Sequence, residues 1–253
     1  MSLNAPDWLT ARPIAHRGLH DVRQGRVENT LEAAEAAIAR GYAIECDVQL
    51  SRDGEAIVFH DERLERITQA KGLVADRDAA ALAALPFRVG GSHIPLFKEF
   101  LGRIAARTPI ICEIKSAFDG DMRLADCVAG LAAHYAGPVA FKSFDPAPIA
   151  RLRNVVPQSA EGAPCPLGIV AMARYDALLW PRLSDDQRRD CLAFLHYERT
   201  RPDFLSFCVD DLPHPTPALL RAIVRAPVMA WTVRTPAQQA LAKAYADQVV
   251  FED

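Results

Sequence analysis

Short apolar runs of strand length recur along this chain, several of them ending in ionisable residues, and helical patterns separate them. This alternation constrains the fold more than any other feature, because a strand, helix, strand repetition leads to a parallel sheet covered by helices. Residues 13–16, 43–50, 109–115, 139–143, 167–171, 204–209, 228–233 and 248–251 read as eight strands. Residues 56–60 are a further apolar run, and Asp53-Gly54 before them is a tight-turn signal, so 56–60 is expected to return as a hairpin arm against 43–50. Helical patterns cover 76–85, 96–106, 121–135, 185–196, 217–225 and 236–245, and an earlier helix is expected where Asn29 acts as a cap with Glu32 three residues on. Eight strands linked by helices over roughly 250 residues predict an α/β fold of the (β/α)₈, or TIM-barrel, type. A short insertion, residues 62–93, follows the second-strand hairpin. A doubly wound open sheet is the alternative. The lack of a glycine-rich loop after the first strand, and the spread of ionisable residues over several strand ends, favour the barrel.

With 253 residues, half of them hydrophobic, the chain can bury a large core, and one domain over residues 1–253 is expected. A formal net charge of −3 without a cluster of Lys or Arg argues against a nucleic-acid partner. No apolar run approaches the ~20 residues of a membrane span, and the first residues lack the basic and apolar regions of a secretory leader. A cytoplasmic protein without stable membrane insertion is therefore expected. The six cysteines are scattered without a CxxC pair and are expected to be reduced. Nothing in the sequence sets the oligomeric state.

His16-Arg17-Gly18, Glu45-Cys46-Asp47, His60-Asp61 and Glu113-Ile114-Lys115 each stand at the end of an apolar run. Alternation along a strand places Glu45 and Asp47 on one face, and Glu113 with Lys115 on another. If these faces point into a barrel mouth, three carboxylates converge, and carboxylates within ~4–6 Å of one another cannot all stay ionised without compensation. A bound divalent ion is the simpler solution. All-oxygen ligation suits Mg²⁺ first, with Ca²⁺ or Mn²⁺ as alternatives. The plainer reading pairs each carboxylate with Arg17, Lys115 or Arg52 as a structural ion pair. His16 and His60 have the chemistry of a general base and a general acid, as phosphodiester cleavage requires. Arg17 offers a planar fork and Lys115 a point charge to a phosphoryl group, unless Arg17 pairs with Glu28 and Lys115 with Glu113. Trp231 either walls the pocket or packs in the core. His20, His93, His134, His196 and His214 read as surface or capping residues, and Asp210-Asp211 as a solvated loop.

These residues are where a resemblance enters. The chain resembles the glycerophosphodiester phosphodiesterases, metal-dependent TIM-barrel enzymes related to phosphatidylinositol-specific phospholipase C. His16-Arg17-Gly18, Glu28-Asn29-Thr30, Glu45-x-Asp47-Val48, Asp53-Gly54, His60-Asp61, Leu64-x-Arg66-x-Thr68, Ile94-Pro95-Leu96, Glu113-Ile114-Lys115, Ser143-Phe144 and Trp231-Thr232-Val233 stand in family order, over nearly the whole chain. The resemblance implies hydrolysis of a small-molecule glycerophosphodiester to sn-glycerol 3-phosphate and an alcohol. It makes His16 and His60 the acid/base pair, Glu45, Asp47 and Glu113 the metal ligands, and Arg17 and Lys115 the phosphate contacts. A lysophospholipase D-like activity, or a catalytically idle binding barrel, is the alternative. The chain departs from the family at Val27, where proline is usual, at Ser51 in place of threonine, and in a first lip, 19–26, where Arg23 and Arg26 are candidate head-group contacts. It departs again at Val249-Val250-Phe251-Glu252-Asp253, so the wall built by the last strand is expected to differ.

Overall fold

The computed structural model describes residues 5–155, 157–160 and 162–253. The strands are β1 (Ile14–Ala15), β2 (Ala43–Leu50), β3 (Ala56–Val58), β4 (Ile110–Ile114), β5 (Val139–Ser143), β6 (Leu167–Ala171), β7 (Phe204–Cys208), β8 (Val228–Val233) and β9 (Gln248–Phe251). β1 pairs in parallel with both β2 and β9, so the sheet closes on itself. Every other neighbouring pair around the ring is also parallel. β3 alone is antiparallel, paired with β2 as the returning arm of the hairpin. Eight parallel strands and the helices between them make a (β/α)₈ barrel. The helices are α1 (Leu31–Ala39), α2 (Ala79–Ala83), α3 (Phe97–Ile104), α4 (Arg123–Ala132), α5 (Pro146–Val155), α6 (Asp185–Leu192), α7 (Tyr197–Thr200), α8 (Pro215–Leu219) and α9 (Pro236–Tyr245).

β4, β5 and β6 are buried along their whole length, on both faces, as the central strands of a helix-covered parallel sheet must be. Their inward residues form tiers. Ile14, Ala43, Ile111, Ala140, Phe204, Met229 and Val250 make an apolar floor, closed from below by Leu9 and Trp8. Gly168 of β6 belongs at the same level because the Phe204 ring lies 2.4 Å from where a Cβ would stand. Two residues further along each strand the side chain points inward again. That step replaces the floor by His16, Glu45, Glu113, Lys142, Ser206, Trp231 and Glu252. Residues between β3 and α3 form a satellite core of Leu64, Val74, Leu82 and Phe87 on Ile57 and Phe59, which is the expected insertion.

Several local expectations are corrected. Asn29 does not cap α1; Thr30 does, its hydroxyl accepting from the Ala33 N–H. Asn29 instead takes a left-handed φ of 57° and turns its amide to Asp47. α5 carries no earlier expectation because Pro146 and Pro148 obscure its pattern, yet both lie in the first turn, where proline is tolerated. The expected helix over 185–196 breaks into α6 and α7, and the one over 217–225 is α8 continued by a π-helical turn at Leu220–Val224. Arg52 pairs with Asp78 on the surface, away from the triad. His214 does cap α8. His196, by contrast, is 1 % exposed, with Nδ1 3.2 Å from the Thr200 hydroxyl.

Burial of the His196 ring depresses its pKa from its ordinary value near 6.5 to about 4. The unfolded chain then binds a proton that the folded one refuses, so stability present above pH 6.5 is lost as the pH falls toward 4. The shift corresponds to about 3 kcal/mol at 1.36 kcal/mol per pH unit. A His196→Gln variant should lose less stability over that interval by about this amount, as read from urea melts at pH 7 and 4.5.

Candidate active site

The first turn after β1 builds one side of the barrel mouth. The His16 N–H donates to the Phe251 carbonyl at 2.9 Å, keeping His16 in line with the strands. Arg17 and Gly18 then adopt positive φ, and Gly18 is tight against α1, where a Cβ would lie 2.8 Å from the Ala33 carbonyl carbon. Only glycine fits both demands. The turn aims the Arg17 N–H at Glu45 Oε2, 3.1 Å away, and the Arg17 guanidinium at Glu28, 2.7 Å away.

Glu45, Asp47 and Glu113 are 0, 1 and 5 % exposed, and each offers an oxygen within 4.8 Å of those of the other two. β2 and β4 pair Asp47 with Glu113 in register, which explains the convergence. Asp47 is held twice by Asn29, whose amide donates to Oδ2 at 2.9 Å while its carbonyl accepts the Asp47 N–H at 3.1 Å. The Lys115 ammonium lies 2.8 Å from Asp47 Oδ1 and 2.6 Å from Glu113 Oε1. Burial alone would raise the Asp47 carboxyl. Lys115, His60 and Arg17 outweigh it and hold Asp47 well below the usual carboxylate range. Burial is likewise overcome at Glu113 by Lys115 and Lys142, and Lys115 is itself raised, since burial is outweighed by Asp47 and Glu113. Asp47, Glu113 and Lys115 are therefore ionised at neutral pH.

Both plain pairings, Arg17 with Glu28 and Lys115 with Glu113, are present, but they do not exhaust the site. Among the described residues, the buried side-chain atoms without a hydrogen-bond partner are Arg17 Nε, Glu45 Oε1, Ser206 Oγ and Glu65 Oε2. The first three sit at this mouth, and such orphans are rare unless a ligand or ion completes them. Glu45 Oε1 lies 3.0 Å from Lys142 Nζ without a hydrogen-bonding angle. Three converging carboxylates, with one oxygen unsatisfied, fit a hard divalent cation.

His60 follows β3, and its Nδ1 meets Asp61 Oδ1 at 2.7 Å. Asp61 is bonded by Arg66, and Arg66 also grips Glu28 at 2.6 and 2.8 Å. Burial of Asp61 is outweighed by His60 and Arg66, which lower its pKa to about 2. A chain of ion pairs and hydrogen bonds thus runs from Arg17 through Glu28, Arg66 and Asp61 to His60, and the insertion contributes its central link. On the opposite lip, Glu252 Oε1 accepts from His16 Nδ1 at 2.5 Å and Arg234 holds the same carboxylate. Burial raises Glu252, but His16 and Arg234 override it and leave it ionised.

His16 and His60 line one pocket of about 230 Å³ with Asp47, Glu113 and Lys115. Beside it is an apolar annex of about 430 Å³, walled by Phe118, Phe144, Met172, Trp180 and Trp231. Trp231 packs and also borders open space: its indole N–H donates to the Ser206 carbonyl at 2.9 Å, and its ring meets Phe144 edge to face and lines both spaces. Asp210 also lines the pocket and Asp211 accepts the Ala173 N–H, so the pair is more than a solvated loop. Arg23 and Arg26 are tied within their own lip, to Asp21 and the Leu19 carbonyl, and line neither space. Sequence reasoning missed Asn29, Lys142 and Glu252 as site residues. A lysine inside the buried run 139–143, and a glutamate at the end of the last strand, were the available signals.

A closed barrel with three carboxylates that could hold a cation at its strand ends, and two carboxylate-bound histidines on one pocket, sets the class in which to look. Over residues 16–253 the chain belongs to the Glycerophosphoryl diester phosphodiesterase family. A glycerophosphodiester phosphodiesterase of Bacillus altitudinis is 39 % identical over 109 residues, 40 % of this chain and 43 % of the relative, so the match spans under half of that protein. An Oleispira antarctica phosphodiesterase, solved in complex with the product sn-glycerol-3-phosphate, shares the fold with a TM-score of 0.77 at 21 % identity, over 96 % of this chain and 93 % of that one. A glycerophosphodiester phosphodiesterase from Thermotoga maritima does so with a TM-score of 0.66 at 23 % identity, over 94 % and 92 %.

Asn29→Ala should destabilise the fold by about 2–4 kcal/mol, because it strands the buried Asp47 N–H and puts alanine at positive φ. Asn29→Gly, which relieves only the backbone strain, should cost less. Urea denaturation of the two variants checks the order.

Proposed function

We propose that this protein hydrolyses glycerophosphodiesters to sn-glycerol 3-phosphate and an alcohol, with Glu45, Asp47 and Glu113 holding a divalent cation, Mg²⁺ first among the candidates. The observation that carries this reading is the pair of histidines on one pocket, each with its Nδ1 on an ionised carboxylate. A carboxylate can only accept, so it fixes the proton on Nδ1 and leaves Nε2 for proton transfer. When bound, the cation supplies Lewis-acid polarisation of a phosphoryl oxygen and offsets its negative charge. Arg17 and Lys115 contact the same phosphoryl group. His16, oriented by Glu252, takes a proton from the attacking water at Nε2, and His60, supported by Asp61 and Arg66 and carrying a second proton on Nε2, gives that proton to the departing alkoxide. Family membership and the product named for the Oleispira antarctica neighbour support the same chemistry.

The apolar annex favours a second substrate at this centre. Leu178 and Leu179, 89 and 68 % exposed, stand in the same loop as Trp180 and extend its apolar surface outward. Such a surface suits an acyl chain, as in a lysophospholipid.

Release of glycerol 3-phosphate from glycerophosphocholine, assayed with added Mg²⁺, tests the main reading. His16→Ala and His60→Ala should each lower kcat about 10²–10⁴-fold, the usual worth of a general acid or base. Full activity in either variant would remove that histidine from the chemistry. Asp47→Asn should shift the activity to much higher Mg²⁺ concentrations, and unchanged metal dependence would exclude Asp47 as a ligand. Lysophosphatidylcholine turned over faster than glycerophosphocholine would select the lipid substrate.

A further inference from the structure

Lys142 is the interior side chain of β5 at the level of the carboxylates. The β4 to β5 register sets it directly beside Glu113, and Ala140, the preceding residue on its face, belongs to the apolar floor. Its side chain is 2 % exposed, and its ammonium sits 3.0 Å from Glu45 Oε1 and 3.5 Å from Glu113 Oε2. An ammonium so deeply buried is tolerated only when paired, and these carboxylates are its partners. Lys115 has a different freedom: it follows β4 rather than lying within a strand, is 23 % exposed, and borders both the pocket and the annex. Lys115 can swing toward a phosphate when a cation enters between Asp47 and Glu113. Lys142 also reaches the pocket, but only at its base: with the floor beneath it and strands on either side, its side chain is 2 % exposed and has less room to move than Lys115.

We propose that Lys142 is a permanent counter-cation of the acidic cluster, which weakens the cluster's hold on a divalent ion until a phosphate-bearing ligand is present. The inference rests on Glu45, Asp47 and Glu113 being the cation site. An ion entering there meets three carboxylates, two of them already in contact with an ammonium held in place by the floor and the neighbouring strands. In a poorly screened interior the repulsion between that ammonium and a divalent ion is large. The anionic phosphate of a ligand, a monoanion in a phosphodiester and a dianion in glycerol 3-phosphate, restores the missing negative charge, so ion and ligand each tighten the other's binding.

Calorimetric titration with Mg²⁺ and with Mn²⁺ alone, on the wild type, Lys142→Met and Lys142→Gln, tests this. Both variants should bind each ion at least ~10-fold more tightly than the wild type. A merely structural role for Lys142 gives the opposite result, because a collapsed cluster binds ions less well. Equal or weaker binding in the variants, with measurable wild-type binding that Asp47→Asn abolishes, overturns the proposal and leaves the cation site standing. No binding by any of the three proteins overturns both. A second measurement needs no variant: glycerol 3-phosphate should tighten Mg²⁺ binding to the wild type at least ~10-fold, and an unchanged affinity counts against the proposal.

Discussion

Three carboxylates packed inside a barrel are the constraint on which the rest of this structure depends. Glu45, Asp47 and Glu113 are almost without solvent, and their mutual repulsion has to be offset by groups close enough to act in a weakly screened interior. Lys115, Lys142 and Arg17 provide that offset, one cation for each anion, at 2.6–3.5 Å. The three cations are not equivalent. Lys142 lies at the base of the pocket and is 2 % exposed, Arg17 is held by Glu28, and Lys115, 23 % exposed, faces open space. The cluster is therefore stable as it stands, yet has one ammonium able to give way to an incoming charge.

The period of two along a strand converts this constraint into a site. The residues that seal the floor of the barrel are apolar, and a step of two residues on the same strands supplies His16, Glu45, Glu113, Lys142, Trp231 and Glu252. Stability and chemistry are thus separated by one tier, about 7 Å along the strands at 3.3 Å per residue. The insertion after the hairpin is coupled to the mouth by Arg66, which ties Glu28 to Asp61 and so to His60. Loss of that arginine would loosen both sides of the pocket.

Much of this is legible in the sequence alone. The eight strands, the hairpin arm and the carboxylate triad follow from apolar runs with charged ends, because strand periodicity and barrel geometry leave few other arrangements. The misreadings have local causes. Asn29 has the chemistry of a helix cap, but Asp47 is the stronger partner, and a pairing 18 residues away leaves no trace in a short window. Glu252 becomes meaningful only when β9 closes against β1 and meets His16 from 236 residues away. Lys142 is hidden because a lysine in an apolar run reads as a solvated edge until the register sets it beside Glu113. His196 reads as a surface residue because its burial depends on a break between α6 and α7 that the helical pattern runs through.

The most direct test of the account is a crystal structure of the protein soaked with Mn²⁺, with the ion located by its anomalous scattering. The account predicts one strong peak at the barrel mouth, within coordination distance of an oxygen from each of Glu45, Asp47 and Glu113, with the Lys115 ammonium displaced toward the pocket and Lys142 unmoved. A mouth without a peak, and Lys115 still bridging Asp47 and Glu113, would contradict it.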